Sequence, residues 1–175
     1  MAEAFISFVT READCLCTLL MAQHLNCGIG NSKNTHVEED KMKKLQALLC
    51  NEDKKQVQTE LLACKDKVFL NSFALEYDWN NGFDIPKAIL SNPYCSLGTA
   101  LVLFYQGDGY RYLTEKPLFS DIPEWLTFIS TLYSDIMGGK YEDTSVHFEV
   151  PLSKVQVFKL RKKLADNEQV FVTNI

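Results

Sequence analysis

Ser96–Gln106 reads SLGTALVLFYQ, and its reading decides the fold. Leu97, Ala100, Leu101, Leu103, Phe104 and Tyr105 leave a helix over this run with no polar face. Such a helix belongs in the middle of a domain, with other elements around it. Gly98 lets one of them approach its backbone closely, while Gly107 and Gly109 bracket its exit.

The flanks supply those elements. Upstream, the acids Glu38, Glu39 and Asp40 precede KMKKLQALLC and suit the first turn of a helix. Asn51 is positioned to cap the next helix, whose inner face carries Val57, Leu61, Leu62 and Cys64. VFLNSFALEY extends from Val68, and residues 4–26 show a helical period ending at Gly28. NSKNTH (31–36) reads as a polar loop. Downstream, Pro123–Met137 repeats Trp125, Leu126, Phe128, Ile129, Leu132 and Ile136 on one face before Gly138-Gly139 stops it.

Beyond residue 140 the period changes from helical to alternating. SVHFEVPL (145–152) sets Val146, Phe148 and Val150 against Ser145, His147 and Glu149, a strand pattern. Ser153 and Gln156 have capping-box spacing and open a basic helix to about Leu164. QVFVT (169–173) reads as a last strand, with AFISFV (4–9) as a candidate third. The expectation is one mainly helical domain over 1–175: helices to about residue 140, then a strand–helix–strand end forming a small C-terminal β-sheet. This is an α+β architecture.

An apolar fraction of 46% and an aromatic fraction of 11% suit a folded globule of 175 residues. Six cysteines occur without a CxxC, four of them (Cys15, Cys17, Cys50, Cys64) in apolar helix-like runs, so reduced buried thiols are expected. AFISFV is short, lacks a preceding basic cluster and is followed at once by Arg11, Glu12 and Asp14, unlike a signal peptide or membrane span. A soluble, cytoplasmic protein follows as the expectation. Charge is uneven. Residues 78–149 carry 10 acids and 4 bases, while residues 150–175 carry 2 acids and 5 bases. An acidic middle repels nucleic acid and attracts a basic partner.

DWNNGFDIP (78–86) mixes groups found in binding loops with groups found in turns. FDIPKAIL (83–90) is echoed by FSDIPEWL (119–126), and in each the aspartate, Asp84 or Asp121, is placed to cap a helix that Pro86 or Pro123 begins. Gly82 suits a left-handed turn after Asn81. Trp79 reads first as a core plug and second as a contact residue.

Tyr77–Leu113, YDWNNGFDIPKAILSNPYCSLGTALVLFYQGDGYRYL, resembles a bacterial family known as a domain of unknown function, DUF4274-like. The resemblance rests on Trp79, Gly82, Pro86, Asn92-Pro93, Gly98 and Gly109, among others. Asn80-Asn81 stands where the family pattern often has a second acid. Some members look like immunity partners of secreted antibacterial toxins. The resemblance therefore implies a cytoplasmic protein that binds and neutralises a toxin domain, with the motif residues architectural.

No catalytic signature competes with this. His24, His36 and His147 lie in no local motif with a serine or cysteine. There is no HExxH, paired CxxC or calcium loop, so neither metal nor cofactor is expected. Arg161–Lys163 reads as a solvated helix face, too few bases for nucleic acid or membrane. The expected function is toxin neutralisation, without enzymatic activity, by an acidic patch of Asp78, Asp84, Asp108, Asp121, Glu124, Asp135, Glu142 and Asp143. A basic nuclease is the partner that such a patch fits. The alternatives are a small enzyme or ligand-binding protein with a pocket beside Trp79 and Asp108, and a self-associating structural subunit.

Overall fold

The structure, a computed structural model, describes residues 32–117 and 121–175, with side chains from Val37 onward. The chain divides into two units, Met1–Val37 and Glu38–Ile175. The second is described below. Its elements are α1 (Ser32–Leu49, which begins in the first unit), α2 (Lys54–Ala63), α3 (Lys67–Glu76), a 3-10 turn (Trp79–Asn81), α4 (Asp84–Ser91), α5 (Leu97–Gln106), α6 (Gly109–Glu115), α7 (Pro123–Met137), α8 (Lys154–Arg161) and a C-terminal 3-10 helix (Asp166–Val172).

SLGTALVLFYQ is the central helix, α5. Gly98 through Phe104 are buried without interruption, and α3, α6 and α7 pack around them. Ser96 starts the helix by accepting the Thr99 N–H, and its hydroxyl meets that of Thr99 at 3.0 Å. α2 packs on α4. Asp53 and Asp66 begin α2 and α3, each accepting two backbone N–H groups. Asn51 stands one step further out. It accepts the N–H of Asp53 rather than capping the helix itself.

The small β-sheet is not there. Among the described residues no strand forms, and the fold is helical. The alternation in SVHFEVPL nonetheless reports burial correctly: Val146, Phe148 and Val150 are buried while Ser145, His147 and Glu149 are exposed. What is missing is a partner long enough for a ladder. Phe148 and Ile175 exchange one reciprocal pair of backbone hydrogen bonds, both 2.9 Å, and the Val150 N–H goes to the Asn174 side chain. QVFVT cannot extend this pairing because it lies largely in the 3-10 helix, where Phe171 and Val172 turn inward. The Phe171 ring sits 4.7 Å from that of Phe104, and the Tyr105 hydroxyl donates to the Phe171 carbonyl at 2.5 Å. The tail is thus pinned to α5 by aromatic packing. AFISFV and the helix expected over 4–26 lie outside the described residues.

Other expectations are met or corrected locally. The capping box of Ser153 and Gln156 opens α8 as expected. NSKNTH is not a loop, since α1 begins at Ser32; only Asn31 lies outside the described residues. α6 had no counterpart in the sequence reading. Cys50 is exposed and Cys64 half-buried, against the expectation of buried thiols, whereas Cys95 is buried and burial pushes its thiol up to about 12. Cys15, Cys17 and Cys27 lie outside the described residues. No helix among the described residues is long and apolar enough to cross a membrane.

Candidate functional site

The motif Tyr77–Gly109 builds a corner between α3, α4, α5 and α7. Tyr77 is buried and its hydroxyl donates to the Gly82 carbonyl at 2.8 Å, closing the turn that DWNNG makes. Gly82 takes φ +86°, ψ −163°, a conformation almost confined to glycine. Trp79 is half-buried in an aromatic cluster, its ring 5.7 Å from Tyr77, 6.0 Å from Phe83 and 5.7 Å from Phe128. Its indole N–H donates to Gln106 at 3.3 Å. It is a core plug.

The glycines answer for close approach. A Cβ on Gly98 would lie 2.3 Å from the Val146 carbonyl oxygen, and one on Gly109 would lie 2.3 Å from the Phe104 ring. Gly98 is therefore where the extended tail segment rests on α5. Pro86, in the first turn of α4, is buried. Asn92 was carried only as part of the motif, but it does more. Buried, it donates from its amide to the carbonyls of Leu61 (2.7 Å), Leu62 (3.2 Å) and Cys64 (2.8 Å), and accepts the Tyr94 N–H at 2.7 Å. It gathers the carbonyls at the end of α2, of which that of Leu61 also accepts the Cys64 N–H.

The two DIP triplets do not share one role. In the first, Phe83 holds the cap position and Asp84 is already helical; in the second, Ile122 holds it and Pro123 is the first helical residue. Neither helix has a side-chain cap hydrogen bond. Asp84 and Asp121 are thus not caps, contrary to expectation. Asp84 helps only as an acid in a first turn, and both point to solvent.

The eight acids of the expected patch fall into groups. Asp84 and Glu124 lie on either side of Lys87, at 4.0 and 3.4 Å from its Nζ, so that the starts of α4 and α7 stand side by side. Asp121 is exposed one turn before Glu124. Asp78 is exposed and accepts the Asn80 N–H at the head of the 3-10 turn. Asp135 is bound to Lys140 at 2.6 Å. Asp143 is bound to Lys67 at 2.5 Å, and that bond with the Ser145 N–H holds its carboxyl at about 2. Glu142 is exposed. Asp108 is half-buried in the left-handed turn joining α5 to α6; burial pushes its carboxyl up against the pull of Arg111.

Between Trp79 and Asp108 the chain is closely packed at Gly107: a Cβ there would lie 3.3 Å from both the Trp79 and the Phe128 ring, and the Trp125 indole N–H donates to the Gly107 carbonyl at 2.8 Å. A cavity of about 210 Å3 opens beside the turn, lined by Cys50, Glu52, Lys54, Tyr77, Asp78 and Asn81 among others. No group of three metal-ligating side chains occurs among the described residues.

A polar cluster that sequence reasoning missed ties α6, α7 and the tail together. Glu168, buried, is bound to Lys116 at 2.5 Å, takes the hydrogen bond of the Tyr133 hydroxyl and accepts the Ala165 N–H at 2.9 Å. Burial opposes its charge, but these three donors override burial and hold the carboxyl at about 2. The ion pair also secures Lys116 in its left-handed backbone, φ +46°. The three residues are far apart in sequence, so no local pattern announces them.

Residues 65–137 match the family model described as Domain of unknown function (DUF4274), a span from just before α3 to the last residue of α7. No curated protein and no solved structure matches the chain.

Proposed function

We propose that this chain, whose residues 65–137 are a DUF4274-like domain, is a binding module: an immunity protein that neutralises a basic toxin domain, a nuclease being the best physical fit, in the cytoplasm and without catalysis of its own. One observation carries the reading. The distinctive motif residues are used up in building the corner, while the acids at its mouth, Asp78, Asp84, Asp121 and Glu124, face solvent. A carboxylate that stays exposed outside the core is available to a partner, Asp78 included although it also caps the 3-10 turn. Carboxylates on the rim of such a face speed encounter with a basic groove and can cover it.

The geometry favours this group over Asp108, Asp135 and Asp143. Asp135 and Asp143 are each held by a lysine within 2.6 Å and Asp108 is turned into the join between helices, whereas Asp84 and Glu124 share Lys87 at the longer distances of 4.0 and 3.4 Å. Lys87 between Asp84 and Glu124 partly offsets their charge, so the face works as a set rather than through one residue. The test is co-expression with the product of the neighbouring gene. The proposal expects co-purification of the two proteins and protection of cells carrying both. A neighbour that is toxic but neither bound nor neutralised by this chain would refute it.

A further inference from the structure

The C-terminal end carries a second surface, opposite in charge to the first and independent of it. On α8, Val155 and Phe158 are 61% and 59% exposed, one turn apart on the same side. Large apolar side chains so placed have no role in the core. Phe158 also walls a shallow groove of about 650 Å3, floored by Val150, Leu152, Val157 and Val172. The rim is basic. Lys154 and Arg161 line the groove against a single acid, Glu149. From Ser153 to Ala165 five residues are basic and none is acidic. Lys162 reaches over the Phe158 ring, its Nζ 4.2 Å from the centroid, so charge and apolar contact are offered together. The groove itself is fixed from below: Arg161 donates to the Val172 carbonyl at 2.8 Å, and Val150 is tied to Asn174 at 3.0 Å.

We infer that this face docks an acidic amphipathic segment of a protein partner, apolar side chains entering the groove beside Phe158 and carboxylates meeting Lys154, Lys162 and Arg161. Charge complementarity selects that occupant. A concave apolar floor with basic edges fits the apolar stripe of a helix or extended peptide whose other residues are Asp or Glu. A convex apolar helix face would instead suit a lipid surface. The solvated helix face expected from the sequence is thereby assigned a partner, one of opposite charge to that sought by the acidic corner.

Two synthetic 14-residue peptides with identical Leu and Phe positions, one filled out with Glu and the other with Lys, test this against the full chain by fluorescence anisotropy. The Glu peptide is expected to bind at least tenfold more tightly than the Lys peptide. Phe158→Ser with Val155→Ser should weaken it at least tenfold without lowering the melting temperature, both residues being exposed. Lys154→Gln with Lys162→Gln should weaken it and flatten its salt dependence. Equal binding of both peptides, no binding of either, or full affinity in the Phe158→Ser variant would overturn the inference. So would transfer of the Phe158 dependence elsewhere: to phosphatidylserine vesicles, which assigns the face to a membrane, or to concentration-dependent sedimentation of the protein alone, which assigns it to a second copy.

Discussion

The corner at Tyr77–Gly109 is held by local chemistry, and the tail at residues 145–175 by packing against α5. In the corner the glycines and the tryptophan do locally what their chemistry suggests. Gly82 adopts a glycine-only backbone, Gly98 admits a neighbour and Trp79 fills a gap. In the tail the alternating pattern gives the correct buried face and the wrong architecture. Alternation says which side chains meet the core. It says nothing of whether another strand lies alongside, and here the chain end turns into a 3-10 helix instead.

The two regions meet at Gly98, where a single added methyl group tests both at once. Gly98→Ala would set a methyl group against the Val146 carbonyl and should cost about 3 kcal/mol, read as a fall in urea midpoint. If the tail merely drapes over α5, the loss will be far smaller. Asn92→Ala comes next, at about 2 kcal/mol, since it strands carbonyls at the end of α2 without touching the tail.

These two effects mark how far the sequence could be read. The central helix, the need for a small residue at Gly98 and the α7 boundaries are legible in the sequence, because period and local chemistry determine them, whereas the Ser96 cap emerges only from the structure. The caps assigned to Asp84 and Asp121 do not form. Pro at the start of a helix is compatible with more than one register, and the two DIP triplets enter their helices differently. The Lys116–Tyr133–Glu168 cluster was invisible because it is assembled by packing across 52 residues. Within the expected acidic patch, only the fold separates Asp135 and Asp143, each close to its own lysine, from Asp84 and Glu124, which share Lys87 at longer range and stay exposed.

The tail's attachment can be sharpened by pH. The Glu168 carboxyl is depressed from an ordinary 4.5 to about 2, so its contribution is complete above roughly pH 5 and disappears as pH falls toward 2. Glu168→Gln should lose about 1.5 kcal/mol at neutral pH and flatten the acid limb of a stability–pH curve. An unchanged acid limb would remove Glu168 from the attachment. Asn174→Ala should cost about 1 kcal/mol through loss of its bond to the Val150 N–H. The smallest effect belongs to the corner: Asp84→Ala and Asp121→Ala should stay within about 0.5 kcal/mol of the parent, as exposed residues without cap bonds do. Asp66→Ala, which removes a real cap, should cost about 1 kcal/mol.

That near-neutrality makes the central claim, scaffold in the motif and recognition on its exposed acids, directly measurable. The measurement is the association rate of the chain with the product of the neighbouring gene, over a salt series, for the parent and for Asp84→Asn, Asp121→Asn, Glu124→Gln combined. The expected result is an unchanged melting curve, association slowed about tenfold at low salt, and convergence of the two proteins as salt screens the exposed charges. Equal rates for parent and variant at every salt concentration would contradict it.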